Sequence, residues 1–94
     1  MATFLLLGKY SSESLRHISA KRTEKALKLV KRLGGEVKSM YALLGDYDLA
    51  VIIDLPGNEK AMEVSVALGK MTGISFRTSP AVTVQNFDKI AAVE

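Results

Sequence analysis

The sequence predicts an α+β fold in which four strands and two helices follow one another in the order βαββαβ. Apolar residues run or alternate in four short segments, as strands require, and recur at helical spacing in two segments between them. Glycines or a proline stand where these segments have to end. Right-handed crossovers and antiparallel pairing then give a ferredoxin-like four-stranded antiparallel sheet with the spatial order 4-1-3-2. Pro80 falls in an edge strand of this sheet, where proline is tolerated.

The first third of the chain is expected to hold one strand and one interrupted helix. Residues 3–10 read as the first strand, and they are apolar on both alternating sets, which indicates that both faces are covered. The helix that follows has an apolar stripe that is broken at Arg22, so we expect a short first turn, a kink near Ser19 and then a main helix. The stripe consists of Leu15, Ile18, Ala26, Leu27, Val30 and Leu33. Gly34-Gly35 supplies a left-handed stop.

The rest of the chain is expected to hold three strands, one helix and a short terminal turn. Residues 36–44 and 47–54 read as the second and third strands. Residues 59–72 read as the second helix, and residues 74–84 as the fourth strand. An amphipathic turn is expected over residues 86–93.

The second and third strands are joined by Gly45-Asp46, a dipeptide that favours a tight two-residue turn. Such a turn fixes how the strands pair. The expected pairs are Leu44 with Tyr47, Leu43 with Asp48, Ala42 with Leu49 and Tyr41 with Ala50. Because side chains alternate between faces, one side of this hairpin is a plain core face. The other is mixed, since Tyr41 and Asp48 share it with apolar neighbours such as Ile52.

The composition narrows the class of protein. Of the 94 residues, 48% are hydrophobic and 24% are charged, which indicates one globular domain over residues 1–94. With no cysteine and a single histidine, we expect neither a disulfide, a metal site nor a bound cofactor. No apolar run approaches the length of a membrane span, and Met1 leads straight into a strand. We therefore expect no membrane partner, no secretory signal and a cytoplasmic location.

The net charge of +3 does not indicate nucleic acid as a partner. The basic residues concentrate on one side of the first helix, where a solvated helix face is the simpler interpretation. They are Lys21, Arg22, Lys25, Lys28, Lys31 and Arg32. No aromatic residues interleave with them, so the stacking platform that single strands need is missing.

A homodimer or higher oligomer is expected, because two helices can cover only one face of a four-stranded sheet. The central hairpin carries Leu43, Ala50 and Ile52 on its second face. Covering a sheet face of several hundred Å² is worth on the order of 10 kcal/mol at roughly 25 cal/mol per Å² of apolar area. Two sheets packed face to face about a two-fold axis bury that surface, as in a dimeric α/β barrel, and such interfaces form clefts that suit ligands.

Several stretches of the chain resemble the GYD domain family. The matching segments are residues 4–10, 34–35, 37–41 and 45–48, and the likeness extends to the end of the chain. The family's namesake motif corresponds to Gly45, Tyr47 and Asp48, with Asp46 at a variable position. The resemblance implies a dimeric α/β barrel of uncharacterised function, so it informs the fold more than the activity.

The same hairpin is similar to a turn in the effector domains of leucine-responsive regulators. In those domains the turn lies near a small-molecule site between subunits. The likeness covers about ten residues around Gly45 and Asp46. No DNA-binding helix-turn-helix precedes the hairpin in this sequence, so direct control of transcription is not expected.

Asp48 is the first candidate for a ligand-binding residue. It lies on the mixed face near Tyr41, and a partly buried carboxylate needs a partner. Lys9 and Arg77 are within reach if they share its face. Asp48 therefore either binds an amine or another polar group of a ligand, or caps the hairpin by accepting backbone or cationic hydrogen bonds. The candidate ligand-binding residues are Asp48, Tyr47, Tyr41, Gly45, Asp46, Lys9 and Tyr10.

These observations favour a homo-oligomeric small-molecule-binding or regulatory module with a site between packed sheets. Two alternatives stay open. One is a small cofactor-independent enzyme of the dimeric-barrel monooxygenase or isomerase kind, which requires His17, Asp48 or a tyrosine to converge on one cavity. The other is a purely structural protein-interaction domain. No nucleophile and base stand at a recognisable spacing, so no catalytic residue is assigned.

Overall fold

A computed structural model describes residues 1–92, in which four strands and four helices follow one another. The elements are β1 (Ala2–Lys9), α1 (Ser12–Arg16), α2 (Ala20–Arg32), β2 (Glu36–Ala42), β3 (Leu49–Leu55), α3 (Asn58–Thr72), β4 (Ser75–Ala81) and α4 (Val84–Ala91). No helix within residues 1–92 is both long and apolar enough to cross a bilayer.

The four strands form one antiparallel sheet with the order β2-β3-β1-β4, which is the predicted order read from the opposite edge. The apolar strands β1 and β3 are central, as expected. The predicted register also holds, since Tyr41 pairs with Ala50 and Ala42 with Leu49. Pro80 lies in the edge strand β4 opposite Phe4, and a register shift between Val37 and Ser39 marks a bulge in the other edge strand.

The hydrophobic core lies between one face of the sheet and the two long helices. The sheet contributes Phe4, Leu6, Val51, Ile53 and Leu55, and the helices contribute Leu29, Val30, Ala61, Val64 and Leu68. Gly8 allows close packing at the end of this face, because a β-carbon there would stand 2.9 Å from Cγ2 of Ile74 and 3.1 Å from Cε1 of Phe76. The opposite face of the sheet has no helix against it in the described chain.

The helices begin and end as the sequence indicates. The break between α1 and α2 falls at Ser19, whose hydroxyl accepts a 3.0 Å hydrogen bond from the backbone amide of Arg22. Gly34 follows α2 with φ at 88°, and Gly73 ends α3 with φ at 74°, so both supply the left-handed conformation that favours glycine. Leu15, Ile18 and Leu27, however, stay exposed although they belong to the predicted apolar stripe.

The predicted two-residue turn at Gly45-Asp46 is wrong. The strands stop at Ala42 and resume at Leu49, and the chain between them bends without pairing Leu44 with Tyr47. Leu44 is fully exposed rather than on a core face. Leu44 is exposed because β1 ends at Lys9, so the tip of the hairpin projects beyond the neighbouring strand and no layer of the fold covers it.

Helix α4 stands apart from the rest of the fold. It has no buried residue, and its apolar side chains Val84, Phe87 and Ile90 are all more than half exposed. The chain is correspondingly extended, with a radius of gyration of 14.2 Å against about 12 Å for a compact domain of this length. The helix agrees with the amphipathic turn predicted over residues 86–93, of which Val93 lies outside the described residues.

Candidate functional site

Asp48 joins the end of β1 to the start of β3. Its Oδ2 accepts a 2.8 Å hydrogen bond from the backbone amide of Tyr10 and lies 3.9 Å from Nζ of Lys9. Its own amide donates to the carbonyl of Gly8, and its carbonyl accepts from the amide of Leu43, both at 2.9 Å. The residue therefore continues the sheet ladder on both sides after the strands themselves have ended.

The carboxylate of Asp48 still faces solvent in part. Its side chain is 27% exposed, and Oδ1 has no hydrogen-bond partner among residues 1–92. Arg77 was also expected to lie within reach of Asp48, but the two residues form no salt bridge within residues 1–92. The capping interpretation of Asp48 is thus supported by its contacts, and one oxygen remains available to a polar group.

Three of the predicted ligand-binding residues line a single groove near the hairpin. Lys9, Asp46 and Tyr47 share it with Ser75, Phe76 and Arg77 from β4. Strand alternation and pairing place Lys9, Ser75 and Arg77 on the face of the sheet that carries no helices. The groove combines two cations, one carboxylate and a phenol, so it can hold a small molecule that carries both charged and polar groups.

The other predicted residues lie elsewhere. Tyr41 is on the open face of β2, and its side chain is 60% exposed. Gly45, at the tip of the hairpin, has φ at 140° and no atom within 4 Å of the position of a β-carbon, so its role is conformational. Tyr10 lies on the helix side of the sheet, with its ring 5.8 Å from the guanidinium carbon of Arg22.

A second, more enclosed space lies between α2, α3 and the sheet. This cavity has a volume of about 70 Å³ and is lined largely by apolar side chains, with Tyr10, Arg22, Thr23 and Thr72 as its polar members. From the sequence, Arg22 was expected to break an apolar helical stripe and to belong to the solvated basic face of the first helix. The signal in the sequence was a charged residue at a helical position that faces inward. Which groups this residue contacts depends on the fold.

His17 takes no part in either space. It lines a cleft with Ser11, Glu13, Ser14, Lys70 and neighbouring residues of α3, whereas Asp48 and Tyr47 lie at the hairpin. His17 is therefore separate from the groove that Tyr47 lines, and its cleft borders the cavity that Tyr10 lines only through Arg22 and Thr72. Within residues 1–92 no group of three or more histidines and carboxylates is placed to hold a metal ion.

Comparisons with known proteins agree with this fold. The leucine response regulatory protein LrpA of Mycobacterium tuberculosis superposes with a TM-score of 0.63 at 10% identity, and the match covers 87% of this chain and 51% of that chain. At this identity the likeness shows the fold alone, and the chain spans about half the length of LrpA. A search of curated proteins found no match. The model of the GYD domain matches residues 4–91, so this protein belongs to the GYD domain family.

Proposed function

We propose that this protein is a homo-oligomeric small-molecule-binding or regulatory module of the cytoplasm, in which two sheets pack face to face and enclose the ligand. The observation that carries the proposal is the open face of the sheet. Its centre is made of Leu5, Leu7, Ala50 and Ile52, all only half-buried, in the two central strands. An apolar patch in that position is unusual for a protein that works as a monomer.

A second copy of the chain is the partner that suits this face. Leu5 pairs with Ile52 and Leu7 with Ala50, so the apolar side chains form one continuous patch. Packing such a patch on its own two-fold image gives a self-complementary interface. At roughly 25 cal/mol per Å², a patch of several hundred Å² contributes on the order of 10 kcal/mol before the costs of association.

The groove near the hairpin supports a ligand site at the edge of that interface. Lys9 and Arg77 lie on the open face beside the apolar patch, and Asp46 and Tyr47 complete the groove. A second sheet packed on the patch turns this open groove into a cleft, which is where small molecules bind in many dimers. The fold shared with a leucine response regulatory protein supports a regulatory role.

Light scattering at micromolar concentration tests the assembly. We expect a mass of at least twice the 10.2 kDa of one chain. Ile52→Lys places a charge in the apolar patch and should yield monomers that keep the circular dichroism of the fold. Val66→Lys is the matched control, since Val66 is 57% exposed on α3, on the other side of the sheet. A wild-type chain that stays a single subunit overturns the proposal.

Thermal-shift screening against amino acids, nucleotides and common metabolites tests the ligand site. A ligand that binds the folded chain raises the melting temperature by mass action. Arg77→Gln should weaken that response, whereas Lys70→Gln, an exposed residue of α3 outside the groove, should not. No stabilising compound, together with a crystal dimer that has no cavity between its sheets, contradicts a ligand-binding role.

A further inference from the structure

We propose that the cavity between α2 and the sheet binds a short, branched aliphatic monocarboxylate that carries no amino group. The apolar end of the ligand occupies the cavity, and its carboxylate pairs with Arg22. This site lies on the helix side of the sheet, so it is separate from the groove on the open face and does not depend on oligomer formation.

The walls of the cavity suit an aliphatic group. Among the side chains that line it are Ala26 and Val30 from α2, Val37 and Met40 from β2, and Leu49 from β3. Its volume of about 70 Å³ is roughly half of the 150 Å³ that admits benzene in an engineered apolar cavity. By that proportion the space admits about three carbons, the size of an isopropyl group, and leaves the remaining methylenes and the carboxylate of such a ligand at the mouth.

Arg22 is held at that mouth by its own chain. Its Nη1 donates to the carbonyl of Ser14 at 2.8 Å and to the hydroxyl of the same residue at 3.3 Å, and the ring of Tyr10 lies 5.8 Å from the guanidinium carbon. Ser14 is itself buried, so the anchor is fixed. An arginine positioned in this way loses little freedom when it binds a second group.

The guanidinium keeps donors for a ligand. Arginine carries five N–H donors, and of the three guanidinium nitrogens of Arg22 only Nη1 has hydrogen-bond partners within residues 1–92. No carboxylate in those residues forms a salt bridge with it, although Glu13 lines the neighbouring cleft. Nε and Nη2 therefore remain to form the forked pair that arginine makes with a carboxylate.

The absence of an amino group from the ligand follows from the charges of the lining. Arg22 is the charged residue among the side chains that line this cavity within residues 1–92, and no carboxylate accompanies it. An ammonium group next to the carboxylate would lie beside the guanidinium, whose like charge opposes it, and Glu13 lines the neighbouring cleft rather than this cavity. Isocaproate should consequently bind more tightly than leucine, which has the same carbon skeleton and an added amino group.

Titration by calorimetry with isocaproate, isohexanol and leucine tests the proposal on the full chain. Arg22→Gln should weaken isocaproate binding by about tenfold or more, in keeping with a charge-assisted hydrogen bond, and should leave isohexanol unaffected. Lys25→Gln, which removes an exposed cation of the same helix, should change neither. Leucine should bind the wild-type chain at least about tenfold more weakly than isocaproate.

Two further results decide the location. Ala26→Leu fills the cavity and should abolish binding of both isocaproate and isohexanol. Methyl NMR of the wild-type chain locates the site even if this variant does not fold. In that experiment isocaproate should shift the methyl signals of Val30, Val37 and Leu49 and not those of Leu5 and Ile52. Absence of saturable isocaproate binding, equal affinity in Arg22→Gln and Lys25→Gln, or shifts confined to the open face each overturn the proposal.

Discussion

The backbone amide of Tyr10 donates a 2.8 Å hydrogen bond to Oδ2 of Asp48, and this contact closes the sheet beyond the last paired residues of β1 and β3. It follows directly on the bond between the amide of Asp48 and the carbonyl of Gly8. The side chain thus replaces a ladder partner that the bent hairpin cannot supply. Whatever Asp48 does for a ligand, it first holds the strand end on which Lys9 is presented.

Removing the carboxylate of Asp48 should therefore destabilise the fold. We predict that Asp48→Ala lowers the free energy of unfolding by about 1.5–3 kcal/mol, as expected for a hydrogen bond to a charged group. Asp48→Asn keeps an acceptor oxygen and should cost less. Urea titration measures both, with Asp46→Ala as the control because Asp46 is exposed at the hairpin tip. Equal stability of Asp48→Ala and Asp46→Ala would show that the contact is dispensable.

The close packing around Gly8 leads to a second prediction, which concerns steric overlap in the core. A methyl group there meets Cγ2 of Ile74 at 2.9 Å and Cε1 of Phe76 at 3.1 Å. Gly8→Ala should destabilise the protein by about 1–3 kcal/mol through overpacking. Gly57→Ser is the matched control, since no atom lies within 4 Å of its β-carbon position and its extended φ of 175° suits any residue. Thermal unfolding compares the two, and equal melting temperatures would mean that the core yields without cost.

The sheet was predictable because its evidence is local and repeated. Strands β1 and β3 are apolar on both alternating sets, a pattern that central strands need when both faces of the sheet are covered. Pro80 indicates that β4 is an edge strand. The pairing of Ala42 with Leu49 also followed from the positions of the two apolar runs. These features depend on residues that are near one another in sequence or share a period.

The ends of the hairpin and the role of Arg22 were not predictable for a different reason. Leu44 continues the apolar alternation, so nothing in its neighbours shows that β1 stops short and leaves it exposed. Arg22 reaches the carbonyl of Ser14 only because the chain bends at Ser19. The kink near Ser19 was predicted from the local pattern, but the exposure of Leu44 and the group that Arg22 reaches are set by how the elements pack.

The contact between α3 and β4 gives a third prediction. The hydroxyls of Ser65 and Thr78 lie 2.5 Å apart, and Ser65 also donates to the carbonyl of Ala61 at 2.7 Å. In a double-mutant cycle with Ser65→Ala and Thr78→Val, we expect a coupling energy of about 0.5–1.5 kcal/mol, the usual net value of a hydrogen bond. Urea unfolding of the four proteins measures it. Strictly additive effects would indicate that the two hydroxyls are solvated independently.

Helix α4 provides the prediction that bears most directly on assembly. Its eight residues lack buried side chains, and a helix of this length has little stability without tertiary packing. The amides of Phe87 and Ala92 donate hydrogen bonds to the carbonyls of Thr83 and Asp88. At concentrations where the chain is monomeric, these amides should exchange with deuterium almost as fast as in an unfolded peptide.

Oligomer formation should slow that exchange, because a second copy can cover the apolar side of α4. Phe87→Ser, which removes a side chain that is 57% exposed, should then weaken association and restore fast exchange without lowering the melting temperature of the monomer. Gln85→Ser is the control on the same helix, since Gln85 is a polar residue that is also exposed. Exchange that is slow at every concentration would mean that α4 is stabilised within its own chain, and the second copy would then have no part in ordering it.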